Sequence, residues 1–597
     1  MWLVFLCLSV GCVVIDFATS TVLSNTKFGK KHNFRLFYSL LSGVFMASVF
    51  MFVPIHIASA PLSFLNVWKS VLLSLINTIQ MFTFGCEFEV VTATIEHCPS
   101  WLNSIYQVWA ATLFFTAPTF TFGFVLSLFK NLLARIRFFF AFFRDIYVFS
   151  ALNEKSFTLA SDIKKNNKWA VIIFTDVFDD GKSRSDELIE NARALGAICF
   201  KRDVLVINFL NHSKRSDIFF FAISEDETEN SNHAIKLIEL YKERQRTHLY
   251  VFSTKIESEL LLTSIDKGKM KVRRVNEIQA LINRLLFSSG KVIFKEANPP
   301  KDGDRRISAV VVGMGRHGTE MVKALTWYCQ MDGYSVEINA FDKDALAKEK
   351  FIALAPELMS EKYNGVIKQG EAQYKITVHP SVDVDTKSFM DKIAEIKDAT
   401  YVMVALGDDT LNINTAVKLK MIFERMGIKP IIHAIVYNSE QKDALNKIKN
   451  FQNTKYGIEF IGDMKSSYAE SVIIDSELEE LARQRHLKYG KPENDFWMYE
   501  YNYRSSMASA IHFQARKDCN IRGAGKEDDA LTAEEKKIIG SIEHRRWNAY
   551  MRAEGYIYSG SKDAKSRNDL AKMHNDLVEF EELSDERKNI DYDIGTL

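Results

Sequence analysis

Two stretches of the chain, residues 36–68 and 97–129, contain no Asp, Glu, Lys or Arg. Each exceeds the roughly 20 apolar residues that a helix needs to cross a bilayer. They predict membrane helices over about Leu36–Ala60 and about Ser104–Leu128. A third apolar segment, about Trp2–Val22, lacks the basic start of a signal peptide and contains Asp16. It reads as a retained helix whose carboxylate faces other helices or an interface. Between the two uncharged stretches lies Phe64–Gly85, interrupted by Lys69. Its Ser70, Ser74, Asn77 and Thr78 recur at helical spacing as one polar stripe. Lipid tolerates such a stripe poorly, whereas a neighbouring helix or a water-filled cavity satisfies it. From residue 145 the pattern changes: short apolar runs alternate with amphipathic stretches, as in a parallel α/β sheet. That alternation occurs twice, and it stops near residue 490.

Charge sorts the membrane segments. Residues 1–129 hold 9 charged side chains, and the remaining 468 residues hold 142. Lys27, Lys30, Lys31 and Arg35 precede the second segment, and Lys130, Arg135, Arg137 and Arg144 follow the last. Glu87, Glu89 and Glu96 lie between, with no Lys or Arg over 86–98. Basic loops stay cytoplasmic, so an even number of crossings separates the two basic stretches. A re-entrant helix over 64–82 satisfies that count; an ordinary fourth membrane helix is the alternative reading. The division expected is therefore membrane helices over 1–129, an interfacial linker over 130–144 and a cytoplasmic remainder. Aromatic residues bracketed by arginine in Arg135–Arg144 suit the inner interface.

The second α/β unit, 305–490, carries the clearest motif. A buried strand, Ile307–Val312, runs into Gly313-Met314-Gly315-Arg316-His317-Gly318. A helical stretch follows, then a second strand, Val336–Phe341, that ends in Asp342, 24 residues past Gly318. This is the dinucleotide fingerprint in its required context, with glycines for backbone approach to phosphate and an acid for ribose. The alternative is that the glycines serve only helix–strand packing. The first unit, 145–290, repeats the order. Strand Asp145–Ser150 leads to Ala151, Asn153 and Ser156 where the glycines would stand, and strand Trp169–Thr175 ends in Asp176. That site is degraded, and a structural role or another ligand is expected. Further on, Ser224-Glu225-Asp226-Glu227-Thr228 matches Gly407-Asp408-Asp409-Thr410, each turn entering a helix at Asn230 or Asn412. The acids suit helix starts, and calcium is the lesser reading.

The last module, 491–597, has Trp497, Tyr499, Tyr501 and Tyr503 in alternation, which predicts a short strand. A helical stretch, Thr532–Glu554, contains Glu543-His544-Arg545-Arg546-Trp547. Gly555-Tyr556-Ile557-Tyr558 follows, then Lys572-Met573-His574 and Leu577-Val578. Trp547, Tyr556 and Tyr558 offer flat faces, and Arg545, Arg546, Lys572 and His574 offer donors, a set able to stack a base and hold phosphate. The alternative is a small helical module with an aromatic core and a solvated charged face. His544 suits a core hydrogen bond or a ligand contact.

Three resemblances follow from these residues. Thr83-Phe84-Gly85-Cys86-Glu87-Phe88, after the 64–82 helix, resembles the filter of pore-loop cation channels. Only the Thr and the first Gly match, so potassium selectivity does not follow, but a ring of Glu87 favours cations. GMGRHG, Asp342 and the paired SEDET and GDDTLN turns, over about 145–490, resemble the regulator of potassium conductance (RCK) domains. That resemblance implies gating rings that bind nucleotides or ions, and tandem units imply a homo-oligomer, with a tetramer favoured. The H-x-x-W, G-Y-x-Y and K-x-H elements of 540–595 resemble the ryanodine-receptor (RyR) repeat, with Asn575 where that family has Pro. In bacterial proteins such domains resemble sensors fused to effectors, including membrane effectors of anti-phage signalling.

Composition narrows the function. The net charge of +1 provides no basic field for nucleic acid. Seven Cys form no disulfide scaffold, although Cys86 and Cys98 are placed either to pair or to be buried thiols. The 13 His are scattered, and no nucleophile–base set or metal-spaced Cys/His cluster stands out, so no enzyme is expected. The expectation is a multi-pass inner-membrane cation channel opened by a nucleotide-type ligand, NAD or another adenine nucleotide. Its alternative is a membrane-anchored nucleotide sensor without a pore.

Overall fold

The computed structural model describes residues 1–24, 33–59, 61–83, 85–93, 95, 98–177, 183–300, 303–365, 374–451, 454–474, 477–521 and 530–595. Two compact units divide the chain: Met1–Phe142 with Val177–Lys201, and Phe143–Asp176 with Arg202–Leu597.

The first unit is built on helices α1 (Trp2–Ser24), α2 (Asn33–Ala58), α3 (Phe64–Phe82) and α4 (Ser100–Phe140). Two of them, over Trp2–Thr19 and Leu40–Ala58, have the length and apolarity of a membrane span. Asp16 of α1 lies against Gly43 of α2, where any added Cβ would overlap its carboxylate. The acid therefore faces another helix. Ser9 donates to the Ala47 carbonyl at 2.6 Å and accepts from Trp109 Nε1 at 2.8 Å, tying α1, α2 and α4 together. The buried Tyr106 hydroxyl donates to the Met51 carbonyl.

On α3 the stripe of Ser70, Ser74 and Thr78 is buried, and each hydroxyl donates to the carbonyl four residues back. Asn77 Nδ2 meets His56 Nε2 of α2 at 2.9 Å. Leu65, Trp68, Leu72, Ile76 and Ile79 form the exposed face of the same helix. The expected linker is helical over its first part: α4 continues through Arg137 to Phe140. With no Gly or Pro between 124 and 140, nothing in the sequence stops the helix there.

The second unit contains two parallel sheets. Its first consists of β1 (Ile146–Phe149), β2 (Val171–Phe174), β4 (Ile218–Ala222), β5 (Thr247–Phe252) and β6 (Lys271–Val275), in the order β2-β1-β4-β5-β6, while β3 (Ile198–Cys199) belongs to the first unit. The second consists of β7 (Arg305–Val312), β8 (Tyr334–Phe341), β9 (Tyr374–His379), β10 (Tyr401–Val404), β11 (Ile431–Ile435) and β12 (Ile458–Ile461). Read from the β9 edge, its order is β9-β8-β7-β10-β11-β12, the same doubly wound pattern. The pairing is parallel, with Ala309 beside Tyr401 and Val310 beside Val402. Parallel strands covered on both faces need continuous apolar runs, and the last six residues of β7, Ile307–Val312, are all buried. The first sheet adds ladders of stacked rings, Tyr147–Phe219–His248 and Phe149–Phe221–Tyr250, with centroids 4.6–5.1 Å apart. Such cross-strand aromatic pairs contribute roughly 0.2–1 kcal/mol each.

Helices α5 (Glu154–Asn166), α6 (Glu227–Tyr241), α7 (Glu277–Ser289), α8 (Arg316–Tyr328) and α9 (Asp409–Arg425) accompany these strands. The internal repeat is visible in hydrogen bonds. Asn230, fully buried, accepts from Ser224 N at 2.6 Å and donates to the Phe252 carbonyl at 2.9 Å. Asn412 likewise accepts from Leu406 N at 2.7 Å and donates to the Ile435 carbonyl at 2.9 Å. Each amide staples two neighbouring strand ends to one helix. Asp226 and Asp408 cap the helix starts through Thr228 N and Leu411 N.

The carboxy-terminal part is helical: α10 (Glu477–Lys488), α11 (Glu500–Asp518), α12 (Ala533–Ala553) and α13 (Asp585–Gly595). Helix α10 is held by α11 through Arg485 Nε to Ser509 Oγ at 2.8 Å and Tyr503 to Glu479 at 2.9 Å. The helical module thus begins before residue 490. The strand expected at Trp497–Tyr503 is instead a short helix, Glu493–Met498, one extended residue, Tyr499, and the start of α11. The break at Tyr499 separates the aromatic positions into two groups. Trp497 and Tyr503 both pack on Phe496, at 4.9 and 5.1 Å, while Tyr499 pairs with Tyr501 at 5.6 Å.

Candidate functional site

The strand order of the second sheet reverses between β7 and β10, and ligands of doubly wound sheets bind outside the carboxyl ends at that point. A cavity of about 660 Å³ opens there, with Gly313, Gly315, Asp342, Ala405 and Gly407 on its wall. The three glycines have different jobs. Gly313 has φ +95°, and a Cβ on it would lie 2.5 Å from the Ala405 carbonyl oxygen. A Cβ on Gly318 would lie 1.7 Å from the Gly313 carbonyl oxygen. Both are required by the fold itself. Gly315 is different: a Cβ there would meet nothing within 4 Å. It is the residue before α8, whose start has no side-chain cap. Free backbone N–H groups and open space coincide, which is what an anionic group needs at a helix start.

Asp342 is engaged with the turn. One carboxylate oxygen accepts from Met314 N at 2.6 Å and the other from Asp344 N at 2.7 Å. Each oxygen keeps a second lone pair, so the acid fixes the glycine turn and still has acceptors for ribose hydroxyls. Val382, Val384 and Leu406 supply apolar wall, and Arg316, His317 and Lys343 supply nitrogen. Burial lowers the His317 pKa, with Glu277 opposing it, so the ring favours its neutral form.

The first nucleotide-fold unit contributes residues to the same cavity, which the sequence did not indicate. Lys155, Glu227, Thr254 and Glu277 line it, together with Tyr468. Lys155 pairs with Glu277 at 2.6 Å. Burial alone would raise the Glu227 pKa, but donors from Thr254 and Ser253 hold it below its usual value. Their positions just after β1, β4, β5 and β6 are the only signal in the sequence: both sheets turn carboxyl ends toward one space. By contrast, the first nucleotide-fold unit's own switch point is laced with side chains. Asn153 caps α5 in a reciprocal box with Ser156 and donates to the Ile223 carbonyl at 2.6 Å. Ser150 Oγ accepts from Ile223 N at 2.9 Å.

The seven carboxy-terminal candidates do not share one environment. Arg546 is fully buried and donates to Glu543 Oε1 at 2.8 and 3.2 Å. Burial would raise the Glu543 pKa, but Arg546 and Arg485 overrule it and hold it at about 2. His574 is buried; burial, then Arg567, pulls its pKa to about 3, so it supplies no positive charge near neutral pH. Its Nδ1 accepts from Asp576 N at 3.1 Å, and its ring meets Trp547 edge-on at 4.9 Å. Tyr556 is buried beside Asp569. Tyr558 N donates to Glu357 Oε1 at 2.8 Å, and Lys572 Nζ donates to the Glu554 carbonyl at 2.7 Å. Arg545 lies partly buried on α12. His544 has acceptors on both nitrogens, the Val578 carbonyl at 2.9 Å and Asp591 at 3.1 Å, a core role that binds α12 to α13.

In the first unit, Thr83, Gly85 and Glu87 are exposed just beyond α3. Thr83 Oγ1 donates back to the Ile79 and Gln80 carbonyls, and Gly85 N donates to the Gln80 carbonyl at 2.7 Å. Phe84 and Glu96 lie outside the described residues, as does the basic segment Lys27–Lys31. Cys86 and Cys98 are free thiols. Among the described residues, no group of His, Cys, Asp or Glu is placed to hold a metal ion. No protein-family model matches this chain, and no curated protein matches it.

Proposed function

We propose that this chain is a ligand-gated cation channel, opened by a nucleotide-type ligand, NAD or another adenine nucleotide, bound at the Gly313–Gly318 turn. The observation that carries the reading is the open space at Gly315, in front of an uncapped helix, inside a cavity at the strand-order reversal. Phosphate takes the N–H groups of the turn and the ribose takes Asp342. Because Lys155, Glu227 and Thr254 line the same space, occupancy bears on both nucleotide-fold units at once. In this reading those units act as an RCK-like ring in a homotetramer, with residues 130–597 in the cytoplasm and an RyR-like module behind them. Glu87 favours cations at the pore mouth. Moving the gate from about 1:99 to 99:1 needs ~5.5 kcal/mol of preference for the open state, which four sites share. Calorimetry with ATP, ADP and NAD on the purified chain tests the binding step. Cation flux through Glu87→Ala tests the pore: altered permeation is expected, and unchanged permeation sinks the Glu87 assignment.

The second reading, a membrane-anchored nucleotide sensor without a pore, is favoured by one observation. The polar stripe of α3 is satisfied inside its own chain, by its own carbonyls and by His56, and needs no water-filled cavity. A chain that binds nucleotide but passes no ion in any condition selects this reading.

A further inference from the structure

A separate cavity of about 370 Å³ lies where the first nucleotide-fold unit, the second and the helical module meet. We propose that it is a second small-molecule site, one that takes an uncharged planar heterocycle of the nucleobase or nucleoside class. Its volume falls in the roughly 300–1,000 Å³ range of ligand pockets. Phe287, Ala324, Trp327, Leu478, Met507 and Tyr550 give it an apolar wall. Trp327 and Tyr550 stand edge-to-face at 6.1 Å, an arrangement that presents aromatic surface to a flat ring.

The charges on the wall set the ligand class. Arg274 donates to Glu259 at 3.0 Å and to Glu500 at 2.7 Å. Arg504 donates to Glu259 at 3.2 Å and also to Glu554. Lys323 pairs with Glu320 at 3.2 Å. Each of these cations therefore already holds a carboxylate; Arg284, also on the wall, donates to the Ser466 carbonyl, and Glu477 lines the cavity too. A phosphate entering the cavity meets these acids as well as the bases, and its burial is costly. A neutral heterocycle has no such penalty. Its faces take the apolar wall, and its donor and acceptor edge exchanges hydrogen bonds with the ion pairs.

The position also suggests what such a site does. Helices α7 and α8 line both cavities: Glu277, Arg316 and His317 at the nucleotide turn, and Gln279, Lys323 and Trp327 at the junction. A ligand in either place acts on the same two helices, and any effect of one on the other is reciprocal.

The test is calorimetry on the full chain with adenosine, guanosine, cytidine and AMP as probes. At least one nucleoside should bind the parent protein. Ala324→Phe and Met507→Phe, which each fill the cavity, should weaken that binding by about tenfold or more. Gly315→Ala should leave it unchanged, which separates this site from the nucleotide turn. Retained thermal transitions in either filled variant show that loss of binding is not loss of fold. The proposal is overturned if no nucleoside binds at millimolar concentration, or if binding survives both filled variants. It is also overturned if AMP binds in Gly315→Ala and is displaced by Ala324→Phe, because the site then takes charge.

Discussion

Replacing Gly315 or Gly318 by alanine adds one methyl group three residues apart, with opposite expected results. At 318 the new Cβ would lie 1.7 Å from the Gly313 carbonyl oxygen and 3.4 Å from Val311, so the turn or α8 must move. Overpacking of this kind costs about 1–3 kcal/mol, and the helix propensity gained over glycine returns at most about 1 kcal/mol. Gly318→Ala should therefore be destabilised by about 1–2 kcal/mol and bind poorly as a consequence. At 315 the backbone has φ −67° and ψ −166°, open to any residue, and no atom lies within 4 Å. The stability change there should stay below about 1 kcal/mol. The methyl group instead projects into the space assigned to phosphate. Nucleotide affinity should fall by at least about tenfold, or 1.4 kcal/mol. Urea unfolding followed by fluorescence gives the stabilities, and calorimetry gives the affinities. A Gly315→Ala protein that binds ATP, ADP or NAD as tightly as the parent refutes the placement of phosphate at this turn. A fully stable Gly318→Ala protein refutes the geometry of the turn.

Glu543→Gln should destabilise the helical module by about 3–5 kcal/mol, since it leaves the Arg546 guanidinium buried without its carboxylate; thermal melts read this. The same module should lose stability in acid. Burial, ahead of neighbouring charges, pulls His512 and His574 to about 3, and the arginines hold Glu543 at about 2. All three values are depressed, so the stability they supply is complete above their ordinary values, 6.5 for the histidines and 4.5 for the glutamate. It declines as pH falls below each. Unfolding midpoints should be flat from pH 8 to about 7 and fall steadily toward pH 4; a midpoint that rises on acidification contradicts the burial of these groups. Asn412→Ala should cost about 2–3 kcal/mol, because Leu406 N and the Ile435 carbonyl lose a partner in the interior. Hydrogen exchange at the β10 and β11 ends should rise with it.

The repeated sheet was legible in the sequence because parallel strands buried on both faces must be continuous apolar runs. Ile307–Val312 and Tyr401–Val404 stand out against the amphipathic helices that follow them. The glycine turn was legible for a related reason, since backbone contacts at Gly313 and Gly318 exclude a side chain and leave a spacing behind. The participation of Lys155, Glu227 and Thr254 was not legible, because it arises from the meeting of the two nucleotide-fold units, far apart along the chain. Alternating aromatic positions at Trp497–Tyr503 imitated a strand, although a single extended residue between two helices produces the same spacing. Arg546 looked like a ligand donor on composition. The Glu543-x-x-Arg546 spacing on one helix was the available sign of an internal pair.

The most direct measurement is cation flux from liposomes that contain the purified full chain, with and without ATP, ADP or NAD. Nucleotide-dependent flux is expected from the parent protein, with none in its absence and none from Gly315→Ala. Flux that ignores nucleotide, or its absence from a protein that demonstrably binds nucleotide in the same vesicles, contradicts a gate driven from the Gly313–Gly318 turn.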